Sequence, residues 1–314
     1  MQPTQFSSGD VIADRRADYA RMLAESGDPA AAAELMEQAL ELAPAWAAGW
    51  LRLGEYREKA GLGGQAAEAL RQVLALDPED IFGAGLKLAL LGAVETPDRP
   101  PSRYVEALFD DYADRFEAAL VERLDYSVPG KLAALVRKVR GEGGPFASAI
   151  DLGCGTGLFG VEIRDTVERL EGFDLSVNML AKAGEKGIYD HLARSDLSLD
   201  AEGSQLFADG LVHGRADLVA AADVLMYLGD LSNAFSLGAE LAEPGALFAF
   251  SVEDAGTPEG FHLAPSLRYA HSETYVRAAL AAAGFQICEI ERTIIRMDGG
   301  KPVLGILFVA IRTR

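Results

Sequence analysis

The stretch AIDLGCGTG, Ala149 to Gly157, decides the fold. An apolar run leads into it and an amphipathic stretch follows from Leu158, so the glycines occupy a strand-to-helix turn. Gly153, Gly155 and Gly157 let backbone approach a ligand where a side chain would stand in the way. Their spacing is G-x-G-x-G. A dinucleotide fingerprint would need glycine at 158, where Leu158 stands, and a phosphate P-loop would need a Gly-Lys-Ser/Thr ending that is missing. Both phosphate readings are thereby disfavoured.

Outward from the loop, short apolar runs alternate with amphipathic stretches, the pattern of a parallel sheet covered by helices in an α/β fold. Seven strands are predicted, near 147–152, 170–174, 192–195, 216–221, 246–252, 285–296 and 303–312. Helices are predicted from Leu158 to about Thr166, Ser176 to Glu185, Ser232 to Leu241 and Ser272 to Ala283. GFQICEIERTII and VLGILFVAI flank Asp298-Gly299-Gly300, a turn that favours a hairpin, and the second run is apolar enough to be buried on both faces. A last strand inserted antiparallel into a parallel sheet separates one nucleoside-binding architecture from the dinucleotide-binding one.

Two acidic residues extend the pattern. GFDLS puts Asp174 at the end of the second strand, where one carboxylate can accept from both vicinal hydroxyls of a ribose. SDL puts Asp196 and Leu197 after the third strand, offering a side-chain acceptor to an exocyclic amine and a backbone N–H to a ring nitrogen, which reads adenine. Both acids fall on the sheet edge where open α/β sheets bind ligands.

With DLGCGTG, DLS followed by NMLAKA (Asn178 to Ala183), SDL and DLVAAADVLMYLGDL (Asp217 to Leu231), residues 104–314 resemble a class I S-adenosylmethionine-dependent methyltransferase, with its seven-stranded Rossmann-like sheet. The resemblance implies S-adenosylmethionine as cofactor. It implies that Asp151 and the loop residues Gly153, Cys154, Gly155, Thr156 and Gly157 hold the methionine part, and that Asp174, with Leu175 and Ser176, takes the ribose. Met179 would pack on adenine, Ser195, Asp196 and Leu197 would lie at its edge, and Asp223 and Val224 would border the methionine end. Family membership fixes a cofactor far better than an acceptor.

Methyl transfer from a sulfonium needs alignment and exclusion of water rather than a catalytic triad. Tyr227 and His271 are the candidate catalytic residues, the first set against an ordinary helix-face aromatic and the second against a hydrogen-bonded structural histidine beside the Ser272 cap. Cys154 fits the loop by its small size and has no sequence neighbour that would activate a nucleophilic thiol. In YVEALFDDYADRFEAAL, Leu108, Tyr112, Phe116 and Leu120 repeat at i, i+4. That stripe is either core packing or, by the resemblance, a lid whose Tyr112 contacts the cofactor.

The N-terminal third obeys a different grammar. LELAPAW (Leu40 to Trp46) answers to LALDPED (Leu74 to Asp80), with Pro44 and Pro78 34 residues apart. Aligning the prolines pairs Ala32 with Ala66, Met36 with Leu70 and Ala39 with Val73, and Trp50, Leu53 and Gly54 give a W-x-x-L-G opening. This resembles the tetratricopeptide repeat, two copies at about 13–46 and 47–80, and with the C-terminal pattern a bacterial group of methyltransferases that carry such repeats. Each hairpin leaves an apolar face, and Ile81 to Val94 is a further helix that would cover the last one. TPDRPPS (Thr96 to Ser102) breaks the pattern, giving a repeat domain at 1–100 and a methyltransferase domain at 101–314.

The 314 residues carry 29 basic and 48 acidic side chains, a net charge of −19 that repels nucleic acid and anionic lipid. Cys154 and Cys288 are the only cysteines and the four histidines are scattered, so neither a disulfide framework nor a metal site is expected. No apolar run reaches the ~18 to 20 residues of a membrane span, and MQPTQFSSGDVIADRR lacks the apolar core of a secretory signal, so a cytoplasmic protein is expected. The leading reading is an active methyltransferase whose repeats recruit a protein partner or complete the acceptor site. The alternatives are a binding protein with a cofactor-sensing, non-catalytic methyltransferase-like domain, and a nicotinamide-dependent oxidoreductase, with which Leu158 and the terminal hairpin conflict.

Overall fold

The computed structural model describes residues 7–113 and 126–313, the Tyr112 side chain excepted, and divides at Tyr104/Val105 into two compact units. The first is helical: α1 (Val11–Glu25), α2 (Pro29–Leu42), α3 (Ala47–Lys59), α4 (Gly63–Leu76) and α5 (Ala84–Leu90), each packed on the next. Asp10 caps α1 through Ile12 and Ala13 N–H, and Asp28 caps α2, whose first residue is Pro29. Pro44 and Pro78 stand two residues beyond the ends of α2 and α4. Small residues let the helices approach closely. Ala32 and Ala66 are fully buried, and a Cβ on Gly54 would lie 3.2 Å from Leu70 and 3.5 Å from the Ala66 carbonyl.

Helix α6 (Ser102–Tyr112) carries the chain into the second unit, which continues as α7 (Val128–Arg140), β1 (Phe146–Leu152), α8 (Leu158–Ile163), β2 (Val167–Asp174), α9 (Val177–Glu185), β3 (His191–Arg194) and β4 (Ala216–Ala221). Then come α10 (Ser232–Leu241), β5 (Ala242–Asp254), β6 (Phe261–Leu263), β7 (Tyr269–His271), α11 (Glu273–Ala282), β8 (Phe285–Asp298) and β9 (Lys301–Arg312). The strands run in the order β3-β2-β1-β4-β5, all parallel, and β9 lies antiparallel between β5 and β8. The expected Rossmann-like sheet with its antiparallel final pair is thus present. Alternation along β5 sends Leu247 and Ala249 to the face under α7, and Phe248 and Phe250 to the face under α10 and α11. Ile306 to Ala310 of β9 have no exposed surface, as an apolar run flanked by two strands and covered on both faces requires.

The sheet has nine strands among the described residues rather than seven. Glu253 of β5 pairs with Gly305 of β9 and with Ala270 of β7, so β7 occupies the β4 edge of β5 beyond the point where β4 stops. β6 and β7 have three residues each, too few for an alternation pattern to show in the sequence. This hairpin rims the carboxyl ends of the central strands.

Candidate cofactor and acceptor site

The turn after β1 closes tightly because its three glycines sit in the left-handed region, at φ 64, 54 and 90 for Gly153, Gly155 and Gly157. A Cβ on Gly153 would overlap the Val224 side chain, so glycine there is also what lets the ends of β1 and β4 meet. Asp174 locks the turn from β2: Oδ2 accepts from Gly155 N at 2.8 Å and Oδ1 from Ser176 N at 2.9 Å. Ser176 caps α9 through Met179 N and donates its hydroxyl to Asp110 Oδ1 at 2.6 Å. Ser195 N donates to the Asp174 carbonyl, and Asp196 Oδ1 accepts from Ser198 N. The Leu197 carbonyl accepts from Asn233.

Cys154, Thr156, Gly157, Leu175, Ser176 and Asp174 are therefore assembled with Asp151 and Gly153 around the carboxyl ends of β1 and β2, with Ser195, Asp196 and Leu197 following β3 and Asp223 and Val224 following β4. Met179 is fully buried at the first turn of α9. Three buried side-chain oxygens in this group have no hydrogen-bond partner: Asp151 Oδ1, Thr156 Oγ1 and Ser195 Oγ. Leaving such atoms unpaired in a folded interior costs about 1–3 kcal/mol each, so the set fits a polar ligand across β1, β2 and β3. Burial pushes Asp151 up to about 7 and Asp174 up to about 6, against the hydrogen bonds that favour their charged forms. The Cys154 thiol is raised well above its ordinary range, chiefly by burial, which removes it as a thiolate nucleophile.

The other flank is built differently. Asp223, at φ 57, takes an N–H bond to Ser251 Oγ, and both its oxygens accept from Arg296 at 3.0 and 3.1 Å. Arg296 also pairs with Glu253, and Arg268 lies 4.0 Å from Glu253 and 3.3 Å from Asp298. The Arg268 guanidinium hydrogen-bonds the Tyr227 phenol, whose ring meets Phe109 edge-on at 5.1 Å. Burial, chiefly, raises the Tyr227 hydroxyl above its usual value. Tyr126, within electrostatic reach of Asp223, Arg296, Asp151 and Tyr227, is raised still further by burial.

His271, the second catalytic candidate, ends β7 with no exposed surface. Its Nε2 donates to the Gly229 carbonyl at 2.9 Å, Nδ1 is buried without a partner, and Phe261 and Tyr275 pack their rings on it at 5.8 Å. Burial lowers it to about 4, so the imidazole is neutral at physiological pH. Of the aromatic stripe, Leu108 is 40% exposed. The Tyr112 side chain, Phe116 and Leu120 lie outside the described residues. The face of α6 turned inward carries Glu106, which pairs with Arg194 at 2.8 Å, with Phe109 and Asp110. These three, with Tyr126, Tyr189, Arg268 and Arg296, were not singled out by sequence reasoning. Only the spacing of Glu106 and Asp110 on one helical face could have signalled any of them.

Among the described residues no group of His, Cys, Asp and Glu could hold a metal ion, and no helix is long and apolar enough to cross a membrane.

A Rossmann-like sheet with an antiparallel last pair and a glycine turn locked by an acidic second-strand end defines the methyltransferase class. A family model described as "Methyltransferase domain" matches residues 124–290, more than half of the chain, and the chain belongs to that family. Solved structures similar to it include an S-adenosylmethionine-dependent methyltransferase from Mesorhizobium loti, at 23% identity and TM-score 0.44, covering 57% of this chain and 96% of that one. Another is magnesium protoporphyrin IX methyltransferase from Synechocystis with bound SAM, at 22% identity and TM-score 0.43, covering 59% and 79%. A third is a putative methyltransferase from Haloferax volcanii in complex with the Trm112 activator, at 16% identity and TM-score 0.49, covering 66% and 98%. No curated protein matches the chain.

Proposed function

We propose that the protein transfers a methyl group from S-adenosylmethionine to an acceptor bound beyond the carboxyl ends of β4 and β5. The observation that carries this reading is the set of unpartnered buried oxygens on Asp151, Thr156 and Ser195 around a glycine turn that only Gly153 can form against Val224. Asp151, with Gly153 to Gly157, holds the methionine part. Asp174, flanked by Leu175 and Ser176, accepts from the ribose hydroxyls through the lone pairs left by its two backbone bonds. Met179, Ser195, Asp196 and Leu197 border adenine, and Asp223 and Val224 close the methionine end. When bound, the cofactor supplies a methyl carbon already activated on a sulfonium, so the chain's own residues have to orient the acceptor and exclude water.

Tyr227 is the residue we assign to the acceptor. Held between Arg268 and Phe109, it remains a phenol at neutral pH and orients the acceptor by hydrogen bonding. His271 acts as a positioning residue, fixing the Gly229 carbonyl and with it the turn that carries Tyr227. Tyr112, at the end of α6, is proposed to shield the cofactor.

Helices α1 to α4 are proposed to be two tetratricopeptide repeats, with 1–100 as the repeat domain and 101–314 as the catalytic one. Proline two residues past α2 and past α4, and the close approach at Gly54 and Ala66, support this. The repeats would recruit a protein partner. A net −6 over residues 1–103 and −13 over the rest argue against nucleic acid or an anionic membrane as partner. Two free cysteines fit the reducing cytoplasm.

Calorimetry with S-adenosylmethionine and S-adenosylhomocysteine, followed by a donor-consumption assay over candidate acceptors, tests the reading. One-site binding with turnover is expected. Binding without turnover on any acceptor would point to a cofactor-sensing protein instead.

A further inference from the structure

Tyr189 lies between α9 and β3, outside every motif of the crevice, yet its hydroxyl donates to Asp151 Oδ2 at 2.7 Å. The ring reaches Asp151 through space that three glycines leave open. A Cβ on Gly172 of β2 would lie 2.8 Å from Tyr189 Cε1, one on Gly157 would lie 3.0 Å from Cε2, and one on Gly160 of α8 would overlap the hydroxyl. Gly157 is also needed for its left-handed backbone, whereas Gly160 and Gly172 have ordinary dihedrals. Conformational freedom therefore does not account for those two, and glycine inside a helix or strand is otherwise unfavourable relative to alanine. The ring accounts for Gly160, and the ring together with Leu192 Cδ2, also 2.8 Å from such a Cβ, accounts for Gly172.

The segment bearing Tyr189 is pinned on each side. Asp190 N donates to the Leu170 carbonyl, Asp190 Oδ2 accepts from Leu170 N at 2.7 Å and from Arg164 at 2.9 Å, and Arg164 also binds the Ile188 carbonyl. A side chain fixed this firmly sets the orientation of whatever it holds.

We propose that Tyr189 is a positioning residue for the cofactor: by occupying Oδ2 of Asp151 it leaves Oδ1 to accept from the ammonium group of the methionine moiety. This rests on the methyltransferase reading above. Asp151 ionises against its surroundings, since burial raises it most and Asp174 adds repulsion, while the Tyr189 hydrogen bond opposes both. Also within electrostatic reach of it are the Cys154 thiol and the Tyr126 phenol, and the Lys186 ammonium binds the Thr156 carbonyl of the same turn at 2.6 Å. Tyr189 itself is raised, chiefly by burial, and stays a donor throughout the neutral range.

The test is the calorimetric affinity for S-adenosylhomocysteine between pH 6 and 8.5, for wild type, Tyr189→Phe, Asp151→Asn and the double variant, with melting temperatures recorded alongside. Phenylalanine keeps the ring between its glycines, so Tyr189→Phe should keep the fold and melt a few degrees below wild type for the hydrogen bond lost to a buried carboxylate. In wild type, affinity should tighten as pH rises through about 7. Tyr189→Phe should move that midpoint upward by about one pH unit and weaken binding at pH 7 by roughly tenfold. In the Asp151→Asn background the same change should matter less than about twofold. An unmoved midpoint, or an equal loss without Asp151, would overturn the assignment while leaving the methyltransferase reading intact. No wild-type binding at any pH would overturn both.

Discussion

The two flanks of the glycine turn both bury carboxylates, and they treat them in opposite ways. Under the β1 to β3 side, the partners of Asp151 and Asp174 are a phenol and backbone N–H groups, and both acids are pushed up toward neutrality by burial. On the β4 to β8 side, Asp223 and Glu253 are neutralised by Arg296, with Arg268 close by. In the first arrangement these hydrogen bonds to the two acids come from the phenol and from backbone N–H groups rather than from an arginine, and the ligand proposed for it carries positive charge, the ammonium and sulfonium of S-adenosylmethionine. The second pairs its acids with arginines of the chain itself, and these charges are proposed to hold the wall that carries Tyr227. A buried ion pair of this kind contributes little over an apolar substitute, but removing one member leaves a buried charge uncompensated.

The largest effect should come from breaking the arginine-paired side. Arg296→Met leaves Asp223 and Glu253 buried without their counter-ion, and chemical denaturation should show a loss of about 3–5 kcal/mol. Adding Asp223→Asn and Glu253→Gln should recover much of it. Next is Asp174→Ala, which strips the proposed ribose acceptor and the bonds to Gly155 and Ser176, and should weaken S-adenosylhomocysteine on the order of 100-fold in a binding titration.

A pH series on the free protein sharpens the contrast further. Asp151 is raised in the folded state from 3.8 to about 7, so the native chain keeps a proton that the unfolded chain releases, and this group lowers stability as pH climbs from about 4 to 7. His271, lowered from 6.5 to about 4, has the opposite sign over about 4 to 6.5. Asp151→Asn isolates the first contribution. The variant should melt above wild type at pH 8, with the gap closing toward pH 4 by scanning calorimetry. The smallest effect lies outside both charge clusters. Ser272→Ala removes the α11 cap to Tyr275 N and should cost about 1 kcal/mol with unchanged cofactor affinity.

The cofactor side is the more legible of the two in the sequence, because its residues follow strand ends at fixed offsets: the glycines after β1, Asp174 ending β2, Asp196 after β3. Strand periodicity and strand order suffice to bring them together. Arg296 and Asp223 are 73 residues apart, and nothing local announces that a residue near the end of β8 neutralises one just past β4. Tyr189 was hidden for a related reason, since Gly157, Gly160 and Gly172 look like unrelated turn and packing glycines until one ring is seen between them. The β6–β7 hairpin was lost to its brevity. On α6 the i, i+4 aromatic stripe drew attention from Glu106 and Asp110, which turn the helix toward β3 and α9 through Arg194 and Ser176.

The most direct measurement is a crystal structure of the protein with S-adenosylhomocysteine. The account predicts the ribose hydroxyls on Asp174, the ammonium on Asp151 Oδ1, and the Tyr189 hydroxyl still on Oδ2. A nucleoside bound elsewhere, or Asp151 Oδ1 satisfied by the protein's own side chains with the crevice closed, would contradict it.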